Sequence, residues 1–120
     1  MTITRIGITD PVNGMPVMSR AVVRGDTVYL CGVVPDPAGD IATQTRQVLE
    51  KIDQMLTGAG SDKSRLLTAQ IWLADMGHFA AMNAVWNAWV DPKNPPVRAC
   101  VRAELYRPEV LVEIMVTAAR

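Results

Sequence analysis

Along the chain, apolar residues recur first at every second position and then at helical spacing, and the switches between those two periods mark out the elements. Ile3 to Ile8 carries the strand period and stops at Asp10-Pro11, before a breaker-rich loop, Val12-Asn13-Gly14-Met15-Pro16. Ser19-Arg20-Ala21-Val22-Val23 and Thr27-Val28-Tyr29-Leu30-Cys31 flank Arg24-Gly25-Asp26, which predicts a hairpin with Gly25 at a positive φ. Asp40 then caps a helix over 41–57, with Ile41, Thr45, Val48, Ile52, Met55 and Leu56 on one stripe and Gly58 and Gly60 ending it. Leu66 to Leu73 returns to strand, with Leu67, Ala69, Ile71 and Leu73 on one face. A second helix over 76–90 follows Asp75; its stripe is Phe79, Met82, Val85, Trp86 and Trp89, and Asp91-Pro92 closes it.

Two further strands finish the pattern. In Pro95-Pro96-Val97-Arg98-Ala99-Cys100-Val101-Arg102-Ala103, Arg98, Cys100, Arg102 and Glu104 share one face, and Ala99, Val101, Ala103 and Leu105 the other. In the strand from Val110 to Val116, Val110, Val112, Ile114 and Val116 form an apolar face and leave Leu111, Glu113 and Met115 opposite. The expectation is that Arg98, Cys100, Leu111, Glu113 and Met115 lie together on a face that another subunit buries, with Arg98 and Glu113 inside a partly dry cleft.

The order is βββαβαββ, an α+β fold in which one mixed β-sheet carries two helices on one face, all within one domain spanning 1–120. Nothing in the chain remains to cover the second face. A closed cyclic assembly is the economical way to bury it.

Composition narrows the function. Lys+Arg 12 against Asp+Glu 12 gives zero formal net charge, so nothing pulls the protein toward nucleic acid or anionic lipid. No apolar run approaches bilayer length and the first residues lack the order of a signal peptide, so a cytoplasmic protein is expected, with no membrane and no nucleic-acid partner. Cys31 and Cys100 sit in apolar strand sequence and suit a reduced compartment; with one histidine they fall short of a zinc site, and no metal or cofactor is expected. An apolar fraction of 49% again favours association.

Tyr29-Leu30-Cys31-Gly32-Val33-Val34-Pro35, Gln44-Thr45-Arg46-Gln47-Val48-Leu49 and Gly58-Ala59-Gly60-Ser61 resemble the RidA (YjgF) family of enamine and imine deaminases. The likeness continues through Ile71-Trp72-Leu73-Ala74-Asp75-Met76, Phe79-Ala80-Ala81-Met82-Asn83-Ala84-Val85-Trp86, Pro96-Val97-Arg98-Ala99-Cys100-Val101 and Leu111-Val112-Glu113-Ile114. It covers nearly the whole chain past Ser19, and Asn83-Ala84-Val85-Trp86-Asn87-Ala88-Trp89 is similar to the YoaB-like branch. The resemblance implies a chorismate-mutase-like subunit, a homotrimer with three clefts between subunits, and hydrolysis of 2-imino acids such as 2-iminobutanoate to 2-keto acids and ammonia. It places Arg98 at the arginine that holds the substrate carboxylate, Glu113 at the motif glutamate, and Cys100 at the cysteine whose carbonyl helps hold water. Cys31 and Gly32 stand at the strand-end serine-glycine pair, with Cys for Ser. The tyrosine expected in the N-terminal loop is Val17, which bears on which imines are accepted.

The residue chemistry agrees with that assignment. A guanidinium grips a carboxylate bidentately, and water then needs only placement and a proton acceptor. On the residues alone, Arg98 reads equally as a structural ion pair with Glu113 or Glu104, and Glu113 as a counter-ion to a buried arginine. The two cysteines read as packing residues, and His78, at a helix start, as outside catalysis. The expected partner is a small carboxylate-bearing imine or keto-acid ligand; the rival function is a non-catalytic trimeric module that uses Arg98 to hold a metabolite carboxylate or acts as a chaperone-like surface.

Overall fold

The computed structural model describes residues 1–120 throughout. The elements run β1 (Ile3–Ile6), β2 (Ala21–Arg24), β3 (Thr27–Leu30), α1 (Ile41–Gly58), β4 (Leu66–Leu73), α2 (Phe79–Trp89), β5 (Val97–Arg102) and β6 (Val112–Ala119), with short 3-10 turns at Lys63–Arg65 and Met76–His78. This is the expected order. Local chemistry sets the boundaries: Asp40 accepts from the Thr43 amide at 2.9 Å to start α1, and Gly25 turns the β2–β3 hairpin at φ 58°. Asp75 caps the 3-10 turn through the Gly77 amide, so α2 itself starts at Phe79, three residues later than the sequence spacing predicts.

The strands form one mixed sheet in the order β1-β2-β3-β6-β4-β5. Only β4 and β5 are parallel, joined by the crossover through α2. The helices bury one face: Val28, Ile71, Leu73, Val112, Ile114 and Ala118 have no exposure, and Val48, Ile52, Leu56 and Met82 meet them from the helices. Each large aliphatic side chain there contributes about 2 kcal/mol. Leu67 leaves the expected stripe and is exposed, because the β4–β6 register shifts between Leu66 and Thr68 and Leu66 takes the buried position instead.

The opposite face has no cover. Tyr29, Val97, Val101 and Met115 lie on it and are exposed. No helix is long and apolar enough to cross a membrane.

Candidate functional site

The residues singled out by sequence gather in two clusters. The first forms where β3 ends against β6. The Cys31 amide donates to the Arg20 carbonyl (2.9 Å), extending the β2–β3 ladder by a residue, and Val33 then exchanges two main-chain hydrogen bonds with Ile114, at 2.8 and 3.0 Å. Between them Gly32 passes directly against the Glu113 side chain, so closely that a Cβ at position 32 would overlap Oε2. Glu113 is part-buried with no ion-pair partner, and burial raises its pKa above the ordinary 4.5. Burial also raises the Cys31 thiol pKa, opposed by Arg20 and reinforced by Glu113. Cys31, Gly32 and Glu113 therefore do come together.

The second cluster lies where β5 meets α2. Arg98 is part-buried, its guanidinium carbon 5.4 Å from the centroid of Trp86 and 5.8 Å from that of Phe79. Cys100 packs against the core beyond it; burial raises its thiol pKa and Arg98 partly offsets the rise. Neither cysteine is thus primed as a thiolate.

The two clusters lie on opposite faces of the sheet, which corrects the expectation of one shared face. On β4, Ala69 aligns with Arg98 of β5 and Val116 of β6, whereas Trp72 aligns with Val101 and Glu113. Aligned neighbours project to the same side. Arg98 and Cys100 therefore point to the helix-covered side with Ala69, and Glu113 points to the open side with Met115, Gln70 and Trp72. Alternation within a strand fixes parity only along that strand; the register that relates β5 to β6 runs through β4. Within the subunit Arg98 makes no ion pair with Glu113 or Glu104, since the sole ion pair in the chain joins Lys51 and Asp36 at 3.2 Å.

Two residues near the clusters escaped the sequence pattern. Gln44, 1% exposed in α1, donates to the Gly39 and Glu109 carbonyls at 3.2 and 2.9 Å and accepts from the Leu111 amide at 2.8 Å, so it pins the chain two residues before Glu113. Asn83 lies on the α2 face between Phe79 and Trp86, with a buried Oδ1 that has no partner. Its place one turn from two aromatic stripe positions was the available signal. His78 lies at the turn before α2, and Val17 sits exposed in a loop whose neck Thr9 latches through the Pro16 carbonyl and the Met18 amide.

Comparison with known proteins agrees with this architecture. The sequence model described as Endoribonuclease L-PSP matches residues 14–120. The RutC family protein YoaB of Escherichia coli is 44% identical over 101 residues, covering 84% of this chain and 89% of that protein. The 3-aminoacrylate deaminase RutC of Acinetobacter baylyi is 35% identical over 94 residues, 72% of this chain and 74% of that protein. The crystal structure of a YjgF family member from Neisseria meningitidis superposes with a TM-score of 0.92 at 44% identity, covering 100% of this chain and 96% of that one. With its sheet order, its two helices and nearly its whole length accounted for in this way, the chain belongs to the YjgF/RidA family.

Proposed function

We propose that the protein hydrolyses small 2-imino acids, or their enamine tautomers, to 2-keto acids and ammonia in clefts completed by a second copy of the chain. The observation that carries this reading is Arg98, a part-buried guanidinium with no counter-ion and with donors free for a carboxylate. The relative named 3-aminoacrylate deaminase supplies the reaction class, because aminoacrylate is an enamine that bears a carboxylate.

Arg98 and Glu113 face away from opposite sides of one sheet, so a substrate held by the first meets the Glu113 of a neighbouring copy. The uncovered apolar sheet face supports such association, and the assembly implied by the family resemblance is a homotrimer. Arg98 grips the carboxylate and fixes the imine carbon. Glu113, beside Gly32 and Cys31, and the carbonyl of Cys100 place a water against that carbon. The water oxygen bonds to the carbon of the protonated imine as the C=N pair moves to nitrogen, and Glu113 takes the water's proton; Glu113 returns it to nitrogen, and as the C–N bond breaks the hydroxyl gives its remaining proton back to Glu113, leaving a keto acid and ammonia. A glutamate whose pKa is raised by burial is suited to these proton steps.

RNA cleavage, named in the family description, finds less support: the chain has zero formal net charge and one histidine, His78, which lies in neither cluster. The test generates imines in place with an amino-acid oxidase and follows keto-acid and ammonia release. Acceleration by the protein that Arg98→Ala cuts about a hundredfold is the expected result. Equal rates with and without protein would sink the deaminase and favour the non-catalytic carboxylate-binding module.

A further inference from the structure

A part-buried cation ordinarily acquires a carboxylate, and within its own subunit Arg98 has none; aromatic rings stand in its place. Phe79 and Trp86, seven residues apart, lie on one face of α2 two turns from each other, and both are within cation–π reach of the guanidinium. We infer that Phe79 and Trp86 are positioning residues, an aromatic cradle that holds Arg98 unpaired with its donor edge turned to the substrate carboxylate. This rests on the reading that Arg98 binds that carboxylate.

The physical distinction lies in which part of the guanidinium each partner uses. A carboxylate partner occupies the N–H edge, the same edge a substrate needs. A ring attracts the cation through its π-cloud and offers no oxygen lone pair to the N–H edge, so no carboxylate competes with the substrate there. The cradle is itself anchored: Trp86 is 6% exposed within the core, its ring centroid is 5.5 Å from that of Trp89, and the Trp89 indole N–H donates to Asp53 of α1 at 2.9 Å. A line of contacts therefore runs from α1 through both tryptophans to Arg98.

Such a cradle acts before and during the reaction alike, so its loss weakens capture without slowing the bound substrate. The test uses the intact assembled protein and titrates pyruvate, with pyruvamide as the uncharged control, by ligand-observed NMR; KM and kcat are measured in parallel on the oxidase-generated imine. For Phe79→Leu and Trp86→Leu, pyruvate affinity falls and KM rises roughly five- to tenfold, with kcat nearly unchanged, pyruvamide unaffected and Trp86→Phe largely restored. Should the buried Trp86→Leu fail to fold, Phe79→Leu, at a position 39% exposed, decides the matter. Unchanged pyruvate affinity in the folded ring variants, with binding lost in Arg98→Ala, overturns the cradle and leaves the carboxylate reading standing. Unchanged affinity in Arg98→Ala overturns both.

Discussion

Glu113 and Arg98 are held in place by opposite means. Glu113 belongs to β6, with strands on both sides, and main chain sets its position through the Val33–Ile114 bridge and the missing Cβ of Gly32. Arg98 belongs to β5, an edge strand bonded only to β4, and rings from α2 set its position. A group fixed by backbone has one place and loses it abruptly. One held by cation–π attraction yields by degrees.

That contrast predicts graded responses. Removing the edge-strand cation altogether is the largest perturbation: Arg98→Ala lowers kcat/KM about a hundredfold, as expected for losing a bidentate charged contact, in the coupled oxidase assay. Gly32→Ala pushes the Glu113 carboxylate aside and costs between about tenfold and a hundredfold in kcat, seen in single-turnover rates. A milder loss there would show that the carboxylate has a second usable position. Reassembling Arg98→Ala chains with Glu113→Gln chains brings an intact arginine opposite an intact glutamate at some interfaces. Activity returns to about a quarter of the wild-type level if the halves come from different copies, and stays at background if they come from one. Gln44→Leu strands two carbonyls and the Leu111 amide, two residues before Glu113, destabilising by about 2 kcal/mol and lowering Tm by roughly 10 °C in calorimetry.

The smallest effect is a pH dependence of stability. Burial raises the Glu113 pKa above 4.5, so the folded protein binds that proton more tightly than the unfolded chain. The stability this contributes is complete below the unfolded value and is lost as pH rises through the folded one. Glu113→Gln should therefore stabilise the protein relative to wild type at neutral pH and lose that advantage below about pH 4, measured as the Tm difference across that range.

Much of this was legible in the residues. Asp40 and the stripe from Ile41 to Leu56 marked α1 because capping and helical periodicity are local. Arg98, Glu113 and Gly32 stood out because charge and missing bulk are conspicuous in strand sequence. The facing of β5 against β6 was not legible, since it depends on how each aligns with β4. Gln44 was hidden for another reason: an amide reads as surface until the carbonyls it serves are brought in from residues 39 and 109.

The placement of β6 also bears on how the molecule is made. It is the strand that joins β1-β2-β3 to β4-β5, yet it follows all of them in the chain. Until the residues beyond Val112 leave the ribosome, the nascent polypeptide holds a three-stranded meander and a βαβ unit with no ladder between them. A fragment stopped short of that point would be two loose pieces prone to sticking to other chains, and the carboxylate that answers Gly32 arrives with the segment that locks them together.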